Sequence, residues 1–442
     1  MFGTLLLSVT FIIPDGGRAI EGHVIAFPEK DASLWVLFRG STSIRQPKVL
    51  SSCPLVFRKD QDISSNDDLA SSSLRSSVPQ FASTDYLYSV ASAPELRTNP
   101  IRPKELQANL RKYHREKVRL PASEIQWAKQ LVYSHTQNLL EYCKRETGVV
   151  SGMEYGGTMY ERLESKRGNE IDVMLVLKTG SEDVTLHEVV PKLYSKIKLV
   201  KDKADTKLAR LTHKHGYLQP AKMQVWLDRL AQKWTEKTRR SSDGSRVYTH
   251  KNGPAIEIII RDTNRGGSVT AQIIPCVRFL DESGDYRYYV PCAFKECTKF
   301  ELGNTSERSI LWRRTFSLKE REIISSLDRS VTSTCRLECL KILKFLFSSD
   351  KKLRSFHFYL LKTAFLHYLT TDPEWRADQL AERFLGMLSY VQECVKRKDL
   401  PHYFLPSVNL FKGLSGTALD AIDCRLQQLL TDEKQLFYAI YA

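Results

Sequence analysis

The run Glu170-Ile171-Asp172-Val173-Met174-Leu175-Val176-Leu177 limits how this 442-residue chain can fold more than any other segment does. It is short and mostly apolar, as a strand buried in the middle of a sheet would be. Glu170 and Asp172 stand two apart, and alternate side chains of a strand share a face, so both carboxylates are expected to point to one place. Two acids on a buried strand need a partner, and a hard divalent cation is a natural one. Such a pair alone is weak evidence, because surface strands carry it routinely. Its weight comes from Gly156-Gly157-Thr158, whose Gly157 lies thirteen residues before Glu170. Glycines let backbone amides approach a phosphate, and the Thr158 hydroxyl adds a donor.

The surrounding pattern supplies a scaffold for that site. A helix is expected over 122–146, opened by a Ser123/Gln126 capping box. Ile125, Ala128, Leu131, Val132, His135, Leu139 and Tyr142 form its buried stripe. Strands over 255–261 and 268–277 bracket a hairpin turn at 262–267, and 221–234 reads as an amphipathic helix after Pro220. From 318 onward helices dominate, over 337–347, 356–369, 375–395 and 418–430. Strands first and helices afterward predict an α+β fold of two lobes. Residues 96–317 would form a mixed sheet with a long spine helix, and 318–442 a helical lobe. Ahead of them, 1–58 is strand-rich, at 5–13, 23–27 and 34–38, with no role legible. A linker follows over 59–95, polar and serine-rich in its first part, 59–80.

The stretch GGTMYERLESKRGNEIDVMLVL resembles the phosphate-loop-to-acid signature of the cyclic GMP-AMP synthase and Mab-21 family. LWRRTFSLKE, CRLECLKILKFL, LLKTAFLH and LPHYFLPSVNLF are similar to that family's helical-lobe motifs, in the same order. The match covers roughly residues 105–430, and several ordered motifs together weigh far more than any one. The resemblance implies a two-lobed enzyme that joins ATP and GTP, or related nucleoside triphosphates, into a cyclic dinucleotide with two Mg²⁺ or Mn²⁺ ions. By that correspondence Gly157 and Thr158 would contact the triphosphate, and Glu170 with Asp172 would hold the metals. Arg313, Ser317 and Glu320 would face base or ribose, Lys341 would reach phosphate, and Tyr359 would stack on a base.

Three departures bear on activity. The family's third metal carboxylate sits on a later strand, and VTAQIIPC puts the neutral Gln272 there, with Pro275 keeping the register. That substitution removes a charge and a bridging ligand. With a hairpin turn near Arg265-Gly266, Gln272 pairs with about Ile259 and Glu257 lies diagonally on the same face, placed to supply the missing carboxylate. A one-residue slip would turn it away. Phe358 precedes Tyr359 where the vertebrate synthase has a small hydroxyl residue. No His-x-Cys-Cys insertion stands between Glu322 and Cys335, so no structural zinc is expected, and the chain looks similar to zinc-independent relatives that sense double-stranded RNA or other ligands. Two readings follow. One is an innate-immune receptor that makes a cyclic dinucleotide when double-stranded nucleic acid binds. The other is an inactive Mab-21-like protein that keeps the fold as a nucleotide- or partner-binding module.

Charge points the same way as the first reading. Sixty-six basic against 51 acidic side chains leave a formal +15, a field that attracts phosphate-rich polymers or anionic membranes. Lys192, Lys196, Lys198, Lys201, Lys203, Lys207, Arg210 and Lys214 concentrate basic charge in 192–214. Read as helix-presented and nearly free of aromatics, they suit a duplex backbone better than single-strand stacking. A solvated basic face is the plainer alternative. Nine cysteines without a CxxC pair suggest reduced thiols, hence a cytoplasmic protein. The apolar 1–13 stretch is shorter than the ~20 residues a bilayer crossing requires, so no membrane span is expected.

Overall fold

The computed structural model describes residues 103–441, apart from 168, 180–182, 201–205, 239–243, 282–283, 293–304, 328–333 and 372–373, together with three N-terminal strands. The chain divides into two compact units, Phe2–Arg97 and Thr98–Ala442, the latter with Met1. In the smaller unit β1 (Leu6–Phe11), β2 (Ile20–Ile25) and β3 (Trp35–Phe38) make an antiparallel meander. The second strand lies a few residues before the span expected for it. The serine-rich 59–80 stretch falls outside the described residues.

The larger unit opens with α1 (Pro103–Tyr113), a π turn at His114–Val118 and the spine helix α2 (Ala122–Thr147). The carbonyl of Pro121 accepts the Glu124 and Ile125 amides, so Ser123 lies inside the first turn. The expected Ser123/Gln126 box therefore does not form, and α2 has no side-chain cap. At its far end Gly148 turns left-handed (φ +69°) and the Lys207 ammonium donates to the Thr147 carbonyl at 2.9 Å. The expected stripe is buried at Ala128, Val132, His135, Leu139 and Tyr142, with Ile125 and Leu131 partly covered.

Nine strands follow in one mixed sheet: β4 (Val150–Gly156), β5 (Asp172–Leu177), β6 (Val184–Val189), β7 (Tyr194–Leu199), β8 (Ser245–Asn252), β9 (Ala255–Asp262), β10 (Gly267–Leu280), β11 (Tyr286–Pro291) and β12 (Leu311–Thr315). Their order is β4-β5-β10-β11-β12-β7-β6, with β9 and then β8 branching from β10. Among the described residues only β5 and β10 run parallel. The short α3 (Thr206–Ala209) and long α4 (Pro220–Thr238) lie between β7 and β8. The strand period of two sorts the faces. Val173, Leu175, Ile256, Ile258, Ile260, Ala271 and Ile273 share a core with α2 and with Leu227 and Trp234 of α4. The alternate positions, Asp172, Met174, Gln272, Ile274 and Glu257, project from the other face.

After the short α5 (Thr305–Arg308), the helical lobe comprises α6 (Ser317–Ser326), α7 (Arg336–Ser349), α8 (Phe358–Thr371), α9 (Leu380–Arg397), α10 (Gly416–Thr431) and α11 (Glu433–Tyr441), with a hairpin of β13 (Pro401–His402) and β14 (Leu405–Asn409). The helix expected over 375–395 begins only at Leu380, after a 3-10 turn at Ala377–Gln379, and α11 was not anticipated. Leu340, Phe365, Phe384, Leu388, Ile422 and Leu426 form this lobe's core, joined by Leu106 and Leu110 of α1. Cys143, Cys276, Cys335, Cys339, Cys394 and Cys424 are free thiols. Cys292 is disulfide-bonded, which corrects the all-thiol expectation. Among the described residues no helix is long and apolar enough to cross a membrane.

Candidate active site

The glycine loop is locked onto the start of β5. Gly156 ends β4 directly opposite Asp172. Gly157 follows at φ +80°, and a Cβ there would lie 2.5 Å from the Glu170 carbonyl oxygen and 3.1 Å from the Asp172 nitrogen. Only glycine permits both that backbone conformation and that approach. The buried Thr158 accepts the Glu170 amide on Oγ1 at 2.9 Å, while the Met159 amide donates to the Glu170 carbonyl at 3.2 Å. These bonds take Glu170 out of the sheet. The expectation that both acids lie on one strand is corrected accordingly: β5 starts at Asp172, and Glu170 is held ahead of it by the loop.

Glu170 and Asp172 nevertheless meet, in the wall of a cavity of about 370 Å³, a size usual for small-ligand sites, roughly 300–1,000 Å³. Gly157 and Thr158 line it beside them, with Arg313 from β12, Ser317 and Glu320 from α6, and Tyr359 from α8. Lys341 takes a different place. Its ammonium pairs with Glu164 at 3.1 Å, and the lysine in the cavity wall is Lys362. Phe358, Leu193, Met174, Ile274 and Val290 add an apolar floor.

Gln272 pairs with Asp172 on one side and with Glu257 on the other, and Glu257 pairs with His250. The expected partner of Gln272, about Ile259, is therefore off by two residues. The cause is local: Asp262 Oδ1 accepts the amides of Asn264 and Arg265 and moves the turn toward the N-terminus. An even shift preserves the face, so Glu257 stands directly beside Gln272 in the row that begins with Asp172. Its Oε1 accepts from Asn252 Nδ2 at 2.7 Å. Neither Gln272 nor Glu257 is among the cavity-lining residues, and among the described residues no group of three or more His, Cys, Asp or Glu is placed to hold a metal ion.

Electrostatics separates the acids by role. Burial, reinforced by the charge of Glu170, pushes the Asp172 carboxyl up to about 6, with Lys362 and Arg313 opposing. Crowded carboxylates of this kind suit a cation, and Mg²⁺ is commonly held by one or two carboxylates plus substrate phosphates. Behind them Lys362 lies buried between Glu161 at 2.8 Å and Glu320 at 2.7 Å. Burial pulls its pKa down, but Glu320 and Glu161 hold its ammonium well above the usual range. Burial raises Glu161 despite Lys362, raises the Tyr359 phenol, and lowers His402 to about 4. Sequence reasoning missed Glu161, Lys362 and His402. Lys362 three residues after Tyr359 was the available signal, since that spacing shares a face of α8.

The basic run is less uniform than expected. Lys196 and Lys198 lie on the strand β7, and among the described residues of the run only the four of α3 are helical, which corrects the helix-presented reading. Lys196 pairs with Glu307 at 2.9 Å, Lys207 is bonded to the end of α2, and Lys198 sits 5.8 Å from the Tyr217 ring centre. Lys192, Arg210 and Lys214 are exposed, while Lys201 and Lys203 fall outside the described residues.

Residues 159–326 match the Mab-21 protein nucleotidyltransferase domain, and residues 335–428 match the Mab-21 protein HhH/H2TH-like domain. Cyclic GMP-AMP synthase-like receptor 3 of Stylophora pistillata is 28% identical over 319 residues, 70% of this chain and 90% of the relative. Cyclic GMP-AMP synthase of Mus musculus is 27% identical over 334 residues, 67% of this chain and 64% of the relative. A protein mab-21-like of Aedes aegypti is 40% identical over 98 residues, 21% of this chain and 27% of the relative.

Proposed function

Because the chain belongs to the Mab-21 family of nucleotidyltransferases, we propose that it is a cyclic GMP-AMP synthase-like receptor. In this reading it binds double-stranded nucleic acid, RNA in preference, in the cytoplasm, and joins nucleoside triphosphates such as ATP and GTP into a cyclic dinucleotide. The observation that carries the proposal is the Gly157 loop fastened to Glu170 and Asp172 in the wall of a cavity that Arg313, Ser317, Glu320 and Tyr359 complete.

Phosphoryl transfer rests mainly on positioning and electrostatics. Glu170 and Asp172 would hold Mg²⁺ or Mn²⁺, with the Gln272 carbonyl next in the row and Glu257 beside it. A bound divalent ion supplies charge neutralisation on the phosphates and activation of the attacking hydroxyl. Thr158 Oγ1 already accepts the Glu170 amide, which leaves its hydrogen to donate to a phosphate oxygen. Tyr359 offers a ring to a base, and Arg313 offers donors to a base edge or ribose.

The test is thin-layer analysis of labelled nucleoside triphosphates incubated with Mg²⁺ or Mn²⁺, with and without double-stranded RNA or DNA. A cyclic product is expected with duplex RNA and lost in Glu170→Gln and Asp172→Asn. Loss in Glu257→Gln as well would identify that residue as the substitute carboxylate. No product under any ligand would favour the second reading, a Mab-21-like binding module. The neutral Gln272, with no three-carboxylate group among the described residues, is what keeps that reading in play.

A further inference from the structure

The hydrogen bonds around His402 have directions fixed by groups that can act in only one way. The backbone amide of Phe404 donates to His402 Nδ1 at 3.1 Å. An amide N–H cannot accept, so Nδ1 carries a lone pair and a neutral ring bears its proton on Nε2. Nε2 stands 3.1 Å from the Tyr359 hydroxyl and therefore donates to it. With that oxygen accepting, the phenol keeps its own hydrogen to donate, and the Glu320 carboxylate is a charged neighbour of that hydroxyl. Glu320 also receives Lys362 at 2.7 Å, and Lys362 donates again to Glu161 at 2.8 Å. Two bonded groups thus face each other in the cavity wall, Phe404–His402–Tyr359 and Glu320–Lys362–Glu161.

The imidazole is held in plane as well as in tautomer. His402 is 2% exposed, its ring meets Phe316 edge-on at 5.0 Å, and Phe316 stacks on Phe404 at 4.7 Å. His402, Tyr359, Glu320, Lys362 and Glu161 all border the same cavity.

We propose that His402 is a positioning residue for the nucleotide: its Nε2–H fixes the Tyr359 phenol, and so the ring offered to a base. The proposal rests on the nucleotide-binding reading of that cavity and deepens it. A purely packing role for His402 would need only a ring of similar size. A positioning role needs the donor.

The experiment measures ATP binding with Mg²⁺ by isothermal titration on the full-length protein. His402→Phe keeps a ring but removes both the acceptor and the donor, and it should weaken ATP about tenfold, the usual consequence of unpairing one buried polar partner. His402→Gln offers a carbonyl and an N–H at similar separation and should restore most of the affinity. In a Tyr359→Phe background His402→Phe should have no further effect. Equal affinity of His402→Phe and the wild type, or additive losses in the double variant, would overturn the proposal. Failure of the wild type itself to bind ATP would overturn the nucleotide reading and the positioning role with it. The His402–Tyr359 link is then read separately from a double-mutant cycle on urea unfolding, where zero coupling would sink the link too.

Discussion

Replacing Gly157 by alanine tests the join between the glycine loop and the acidic pair. Two costs add. Gly157 sits at φ +80°, and an L-residue in that region loses about 1–2 kcal/mol. The new methyl would also lie 2.5 Å from the Glu170 carbonyl oxygen and 3.1 Å from the Asp172 nitrogen. Both are backbone atoms with no rotamer to escape into, so overpacking adds about 1–3 kcal/mol. The total is about 2–5 kcal/mol. Two other glycines separate the terms. Gly266 shares the left-handed backbone (φ +74°) with nothing within 4 Å of an added Cβ, so its alanine variant bears the first cost alone. Gly152 has neither a positive φ nor a neighbour within 4 Å, and its alanine variant should stay near wild type. Urea unfolding should therefore rank the losses Gly157→Ala, Gly266→Ala, Gly152→Ala. Because the clash falls on the peptide carrying Glu170, Gly157→Ala should also lose Mg²⁺-dependent ATP binding while Gly266→Ala keeps it. A Gly157→Ala protein no less stable than Gly266→Ala would refute the claim that the loop bears on the Glu170 backbone.

Lys362→Met leaves Glu161 and Glu320 buried without their cation and should cost about 3–5 kcal/mol in urea unfolding; an unchanged midpoint would show that the pair does not depend on it. His402 is depressed from 6.5 to about 4 in the folded protein, so the unfolded chain binds more protons between those values. The resulting stability is full above pH 6.5 and fades as pH falls toward 4, with a loss of about 2 kcal/mol from pH 7 to 5. Asp172, raised to about 6, gains stability over the same range, so the His402 contribution is read by difference: going from pH 7 to 5 should cost the wild type about 2 kcal/mol more than His402→Gln in urea unfolding. For duplex RNA, gel-shift affinity should fall with rising salt, and alanine at Lys192, Arg210 or Lys214 should each flatten the slope by about one where the side chain meets a phosphate. Affinity indifferent to salt would rule out phosphate contacts, and Lys207→Ala should act instead on the stability of α2.

The parts of the site legible in the sequence were those whose geometry is local. Glycine before an acidic pair, alternation along β9 and β10, and the helical stripe of α2 each follow from spacing within one segment. The parts that escaped depend on bonds across the chain. Thr158 and Met159 draw Glu170 off its strand, so a run that reads as eight residues of sheet becomes six. The side chain of Asp262 chose the hairpin turn and moved the partner of Gln272 by two places. Lys362 in an apolar helix meets Glu161 at a separation of 201 residues, and no local pattern announces such a pair. Lys341, assigned by likeness of motif, was captured by Glu164, a neighbour that the motif does not specify.

The placement of α1 has a consequence for how the molecule comes into being. Leu106, Leu110 and Val118 sit in the same core as Leu340, Phe384 and Ile422, about two hundred residues or more downstream. That hydrophobic cluster cannot close on the ribosome until α10 has emerged, whereas the sheet and spine helix can assemble earlier. The cavity takes walls from both lobes. Chains cut before the β13–β14 hairpin accordingly lack a wall of the pocket, since His402 and Leu410 belong to it.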